Sequence, residues 1–457
     1  MKKGVIAFGG MLIALLAVSG CAKKVSDGPV PTVTPRPKED KALPTQAVTP
    51  EPTLPAGADG EVQRMNYRAQ YLESGKVTPL QSIYKDRFTV GIEVKREDIK
   101  DEKKRELVKT HFNGISCRED LSPEYLIDYE KTKALGDNQR VVLDFTGADE
   151  ILSFAKENNM VVRGYTLVPN NMPAWFFTKD FDKNQVQTVT EDGVEKEVVD
   201  YASPEVIKAR MKNYMSDMIN HINTNYPGTV VCWDVMNDII DDSVKSKSRY
   251  RETHWLETLG EEYVADAFVL ARELVAKDQK LFLQEDGMES LLAKPAILNL
   301  LKLLKEKNAI DGYAFHAAFT VAGPDSMSMN EMVKAISKLD LEVQFASFCA
   351  NTITNSITDK DRTKEDNLAK CAKRYKALMS WFNKMDSEGT YDFTYISFEG
   401  LTDDSSSFNV PKEYVDEETG ETVFGVPLYN YPYLFDSDGE LKDAFFAAEL
   451  DEEIQGF

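Results

Sequence analysis

The sequence predicts an α/β protein built as a (β/α)8 TIM barrel, preceded by a signal peptide and a disordered Pro/Thr-rich linker. Three observations carry the barrel. Short β-rich runs alternate with segments of 3.6-residue periodicity, eight of each. The runs are apolar along their whole length, which marks strands covered on both faces and paired in parallel. Eight such units in a chain of this size are what a closed parallel barrel requires. A doubly wound open sheet is the competing arrangement, weakened because no Gly-rich phosphate loop follows any strand.

The chain opens with Lys2 and Lys3, an apolar run from Val5 to Val18, then Ala17-Val18-Ser19-Gly20-Cys21. A basic start, a short apolar core and small residues are the parts of an export signal. The order resembles a bacterial lipobox, so residues 1–20 are expected to be a lipoprotein signal and Cys21 the acylated residue. An ordinary signal peptide or an uncleaved anchor is the alternative. Acyl chains there would hold the protein on the outer face of a bacterial membrane, at about 0.8 kcal/mol per buried CH₂. Residues 21–75 form the linker: eight of the nineteen prolines fall between Pro29 and Pro55. The 27 residues from Pro29 to Pro55 favour polyproline II and could extend roughly 80 Å. The domain proper is expected over residues 76–457.

Within it the expected strands are Phe88–Val94, Phe112–Cys117, Val161–Leu167, Val230–Val235, Lys280–Leu283, Tyr313–His316, Leu341–Phe348 and Phe393–Phe398. The expected helices are Arg96–Thr110, Gly147–Asn158, Pro204–Asn225, Glu261–Lys277, Met288–Lys307, Met329–Leu339, Asn367–Met385 and Leu441–Leu450. In such a barrel the chemistry sits at the C-terminal strand ends. The tips to examine are therefore Cys117–Ser122, Tyr165–Asn170, Asn237–Asp238, Gln284–Asp286, His316–Ala318, Ser347–Cys349 and Glu399. The loop from Val168 to Ser203 is expected to overhang that face.

Composition bounds the function. The net charge is −22 and the pI near 4.8. That balance argues against nucleic acid as the main partner, since phosphate binding needs a basic face. With 42% apolar residues the chain can bury a large core. A single apolar stretch, at the N-terminus, approaches membrane length, which excludes a polytopic membrane protein. Cys117, Cys232, Cys349 and Cys371 show no C-x-x-C spacing, so buried thiols are expected in preference to a disulfide framework. His111, His221, His254 and His316 lie on different elements without H-x-x-x-H spacing, and neither a metal nor a cofactor is expected.

At the tips the sequence resembles glycoside hydrolase family 10, the endo-β-1,4-xylanases. Val162-Arg163-Gly164-Tyr165-Thr166-Leu167 resembles V-R-G-H-T-L, and Met172-Pro173-Ala174-Trp175-Phe176 resembles T-P-D-W-F. Trp233-Asp234-Val235-Met236-Asn237-Asp238 is similar to W-D-V-V-N-E. Leu259-Gly260-Glu261-Glu262-Tyr263, Asp311-Gly312, Leu341-Glu342-Val343-Gln344, Gly400-Leu401-Thr402-Asp403 and Pro432-Tyr433-Leu434-Phe435-Asp436 follow in order. The likeness runs from about Pro79 to Leu450.

The resemblance implies a retaining pair of carboxylates about 5–5.5 Å apart. It places Asp238 at the acid/base position and Ser347 at the nucleophile position, so both glutamates are replaced. Asp for Glu withdraws the acid by one methylene, and a misplacement of about 1 Å can cost a hundredfold in rate. A hydroxyl without an activating base is a poor nucleophile. Around the sugar the resemblance assigns Asn237, unchanged, with Tyr165, Asn170, Glu119, His316 and Glu399 at altered positions. Arg118 takes the place of a second-strand Glu. Trp175, Trp233, Trp255, Arg163 and Asp234 fall where the family braces its barrel.

Three functions follow. The first is a carbohydrate-binding, cell-surface lipoprotein, expected to be a monomer, that holds a polysaccharide or oligosaccharide of the β-1,4-xylan type with little or no hydrolysis. Tyr165, Trp175 and Phe408 are its candidate aromatic platforms. The second is an active xylanase-like glycosidase in which Glu285, Asp286 or Glu399 joins Asp238 as a relocated carboxylate. The third is a structural or protein-binding module.

Overall fold

The computed structural model describes residues 77–449 apart from short stretches at 192–193, 244–248, 287–289, 291, 321–322, 325, 352–363, 407–412, 416–421 and 425–429. The expected signal segment, Cys21, the linker and Phe408 lie outside the described residues.

Eight parallel strands close into the expected barrel. They are β1 (Thr89–Glu93), β2 (Gly114–Ser116), β3 (Val161–Tyr165), β4 (Val230–Asn237), β5 (Lys280–Glu285), β6 (Gly312–Thr320), β7 (Glu342–Asn351) and β8 (Tyr395–Phe398). Each pairs with its chain neighbours and β1 closes on β8, through Thr89↔Tyr395 to Ile92↔Phe398. Register slips interrupt four pairings. They lie between Val162 and Arg163, Asp234 and Met236, Phe315 and His316, and Phe345 and Phe348. Such irregularities re-aim side chains near a barrel's rim, and here all four fall within a few residues of the tips.

The outer helices are α1 (Glu102–His111), α2 (Thr146–Glu157), α3 (Pro204–Asn225), α4 (Tyr263–Leu274), α5 (Ala293–Glu306), α6 (Ser326–Ser337), α7 (Lys364–Ser387) and α8 (Asp443–Glu449). One expected helix is corrected. Arg96–Thr110 is two helices, Arg96–Lys100 and then α1, because Asp101 adopts extended backbone and caps α1 through Lys104 N–H at 2.8 Å. An Asp side chain that accepts from the third residue ahead competes with helix continuation and starts a new one.

The overhanging loop is also more ordered than a loop. Residues Val186–Glu191 and Val194–Val199 pair as an antiparallel hairpin inside it. Arg210 on α3, fully buried, pins its base by donating to the carbonyls of Asn138, Phe176 and Thr178. Trp255 Nε1 holds the Pro169 carbonyl at 3.0 Å.

Inside the barrel, Cys232, Phe282, Ala314 and Ala346 form a small apolar layer. Arg163 lies against the Phe282 ring, 4.9 Å from its centroid. Its guanidinium forks onto the fully buried Asp234, with Nε at 2.7 Å from Oδ2, and also donates to Gln344. Both charges are satisfied, which a buried pair must be if it is not to destabilise the core. Trp233 and Trp255 are buried, and Gly164 leaves room for the Trp233 ring, which an added Cβ would meet at 2.3 Å. The four barrel cysteines are free thiols, buried as expected.

Candidate active site

Asp238 follows β4 directly and sits at φ 47, in the left-handed region that a non-glycine residue rarely occupies. Two side chains hold this turn. Asn170, from the loop after β3, donates to the carbonyl oxygens of Asn237 and of Asp238, the latter at 3.0 Å. Asn237 Nδ2 donates to Asp238 Oδ2 at 2.9 Å. Strained backbone retained by surrounding contacts is a mark of functional sites.

On the far side of Asp238 stands His316 from β6. Its Nδ1 is 3.8 Å from Asp238 Oδ2, and its Nε2 is 2.9 Å from Nη1 of Arg118. A guanidinium has donors only, so Nε2 must accept and the imidazole proton faces Asp238. Arg118 also lies over the Tyr165 ring, 4.5 Å from its centroid. Burial pushes the Tyr165 hydroxyl up to about 12, so it stays a neutral donor. The result is a relay of side chains, Tyr165–Arg118–His316–Asp238, from β3, the loop after β2, β6 and β4.

This relay sets the charge of Asp238. Burial alone would raise its pKa, but the contacts with His316 and Asn237 and the nearby Arg118 outweigh it and hold the carboxyl below its ordinary value.

Its neighbours shift the other way. Glu285, at the end of β5 and 1% exposed, is pushed well above the carboxylate range by burial and by the charge of Asp238. Its Oε1 accepts from Ile239 N–H at 2.6 Å and from Ile240 N–H at 3.2 Å. Asp286 is raised by burial and by Asp238, against the pull of Arg251 at 3.8 Å. Carboxylate oxygens of Asp238, Glu285 and Asp286 lie within 4.8 Å of one another. Among the described residues these three are the group whose oxygens converge closely enough to hold a cation.

Ser347 is buried in β7, level with His316 in the β6 register. Its Oγ is 3.5 Å from Oε2 of Glu93, which ends β1. Glu93 also lies 4.0 Å from Arg118. Glu399, beyond β8, is raised by burial and by the charge of Glu93, and the Cys349 thiol hydrogen-bonds it. Glu119 pairs with Lys95 at 3.0 Å. A cleft of about 570 Å³ opens above this floor, and Glu93, Arg118, Glu119, Tyr165, Asn170, Asn237, Glu399 and Tyr433 all line it.

The structure thus brings together Asn237, Asp238, Tyr165, Asn170 and His316, and sets Glu119 and Glu399 around the cleft, while Ser347 is buried and meets the cleft only through Glu93. Trp175 stands elsewhere. It packs edge-on against Tyr129 and lines a second cavity of about 850 Å³ with His254 and the hairpin. Two residues given no role in the expected site prove central: Glu93, and Arg118 from the tip after β2. Their signal in the sequence was a charged residue at the end of an apolar run, Glu93 after Val90-Gly91-Ile92 and Arg118 after Ile115-Ser116-Cys117.

A closed parallel barrel with ionisable groups gathered at its strand ends around a cleft defines the class: a TIM barrel with its candidate site at the C-terminal face. The particular family is shown by comparison. The model of glycosyl hydrolase family 10 matches residues 79–450, and the chain belongs to that family. A putative endo-1,4-beta-xylanase of Caldicellulosiruptor saccharolyticus is 33% identical over 62% of this chain and 87% of its own length. Endo-1,4-beta-xylanase B of Butyrivibrio fibrisolvens is 26% identical over 80% of this chain. The match spans about half of that enzyme's length, 52%. Among solved structures, an intracellular xylanase of Thermoanaerobacterium saccharolyticum in complex with xylotetraose superposes with a TM-score of 0.64. It is 25% identical, over 81% of this chain and 98% of the other. The N-terminal endo-1,4-beta-D-xylanase 10B of Clostridium thermocellum, complexed with xylohexaose, gives a TM-score of 0.67 at 19% identity, covering 82% and 68%.

Proposed function

We propose that this chain is a lipid-anchored, extracytoplasmic carbohydrate-binding barrel that holds a β-1,4-xylan-type oligosaccharide or polysaccharide with little or no hydrolysis. Cys21 would carry the anchor, residues 21–75 would serve as a stalk, and the barrel would act as a monomer. The relatives are named xylanases and two solved neighbours hold xylo-oligosaccharides, which supports the ligand class.

One observation supports the proposed lack of hydrolysis. Glycoside cleavage needs a carboxylic acid that still holds its proton at working pH, and Asp238 is held as the anion by His316, Asn237 and Arg118. The hydroxyl of Ser347 cannot supply the second charge. Isothermal titration with soluble xylo-oligosaccharides should give heat that disappears when the cleft is blocked. A reducing-sugar assay should stay at background. Absence of heat with every xylo-oligosaccharide would refute the binding reading.

A second reading has its own observation. Asp286 and Glu285 each place a carboxyl oxygen within 4.8 Å of one of Asp238, and both are shifted toward the protonated form. Glu285 is 1% exposed and engaged by backbone N–H groups, so Asp286, half exposed, is the group free to meet a sugar. Reducing-sugar release that vanishes in both Asp238→Asn and Asp286→Asn would establish this weak glycosidase and displace the first reading.

A further inference from the structure

We infer that Glu93, reaching inward from β1, supplies the sugar site with the carboxylate that β7 lacks at Ser347, and that this makes the cleft prefer sugars carrying a positive charge near the ring. The inference rests on the proposed reading of position 347.

β1 and β7 are not neighbours; β8 lies between them. A β1 side chain whose carboxylate comes within 3.5 Å of the Ser347 hydroxyl therefore crosses over β8 toward the barrel axis. It can do so because residue 347 is small. A longer side chain there would take the same space. The carboxylate is not buried out of reach: the Glu93 side chain is 21% exposed and lines the cleft.

The local charges do not cancel it. Lys95 is committed to Glu119 at 3.0 Å. One guanidinium, Arg118, faces three carboxylates, Glu93, Asp238 and Glu399, which all act on it. The floor of the cleft keeps an excess of negative charge, in a partly desolvated setting where charge discriminates between ligands of the same shape. A protonated amine in a sugar ring is the matching ligand chemistry; a neutral pyranose gains hydrogen bonds but no such attraction.

The test compares two probes on the purified protein at pH 7, by isothermal titration: xylobiose, and a xylose-configured imino sugar with a protonated ring nitrogen. The wild type should bind the imino sugar at least about tenfold more tightly. Glu93→Gln, with its melting temperature checked, should lose that preference, so that the ratio of the two affinities falls to within about threefold of unity. Ser347→Glu added to Glu93→Gln should restore it, and Ser347→Glu alone should not reduce it. A preference absent from the wild type, or unchanged in Glu93→Gln, overturns the role of Glu93 while xylobiose binding leaves the proposed function standing. If Glu93→Gln does not fold, loss of the preference in Ser347→Glu alone overturns the inference. Binding of neither probe to the wild type removes both.

Discussion

Side chains of one chemical type diverge here by depth and by partner. Asp238 and Glu285 hold carboxylate oxygens within 4.8 Å of each other, yet contacts with His316 and Asn237 hold one down while burial drives the other up. Folding raises the Glu285 pKa, so the native state keeps a proton that the unfolded chain releases above the ordinary value of about 4.3. Stability therefore falls as pH rises from there through the raised value. Glu285→Gln removes that titration while leaving an oxygen to accept from Ile239 and Ile240. Thermal melts between pH 4.5 and 8 should show the wild type losing ground to the variant steadily as pH rises. Parallel curves would show that Glu285 does not titrate across this range. At this scale the sequence exposes part of the site. Asn237, Asp238, His316 and Ser347 are legible because each closes an apolar run, and strand ends in a parallel barrel converge. Glu93 and Arg118 are harder to find. Their contacts join β1 to β7 and the loop after β2 to β6, and no local pattern encodes a meeting across the barrel axis. Asn170 is legible as a tip residue, but not its task, which is to hold two carbonyls of the neighbouring strand's end.

At the scale of elements, glycine marks where backbone and packing leave no choice. Gly400 follows β8 at φ +62, and a Cβ there would meet the Tyr433 ring at 2.3 Å. Gly136 ends a short helix at φ +69 with nothing within 4 Å. Alanine at Gly136 should cost about 1 kcal/mol, the strain of a left-handed L-residue alone. At Gly400 the same strain adds to a displaced ring in the cleft wall, so the cost should exceed 2 kcal/mol. Urea titrations of the two variants check this, and equal midpoints would mean that Tyr433 swings aside freely. Elements differ in how plainly the sequence declares them. The eight strands stand out because they are apolar throughout, as strands buried on both faces must be. The hairpin in the overhanging loop does not, because it lies away from the core: Val198 is 48% exposed, and its valines alternate with threonine, lysine and glutamate. The split before α1 is written in Asp101, whose capping bond competes with the helical pattern on either side.

The eight-stranded barrel is a closed ring, and segments distant in sequence pack together on its outside. Leu80 and Tyr84 are buried beside β1, and the Tyr84 hydroxyl donates to the Ala448 carbonyl at 2.6 Å. Phe445 packs against His111 at 4.7 Å between ring centroids, and burial lowers His111 to about 4, so it remains an uncharged part of this apolar seal. Lys442, buried, pairs with the equally buried Asp403 at 2.8 Å and donates to the carbonyls of Tyr431 and Tyr433. Removing residues 441–457 would strip two buried phenylalanines, at about 3–5 kcal/mol each. It would also break the buried Lys442–Asp403 pair, which destabilises further. That total rivals the about 5–15 kcal/mol by which a domain is stable, so the truncated chain should show no cooperative melt. Removing residues 1–76 takes away none of these contacts and should leave the melting temperature within about 2 °C, since a 1 kcal/mol change already moves it by that much. Calorimetry on both truncations decides the matter. A cooperative melt without residues 441–457 would place the closure of the barrel in the strand ladder alone. A large shift without residues 1–76 would mean that the N-terminal segment belongs to the fold and is not a stalk.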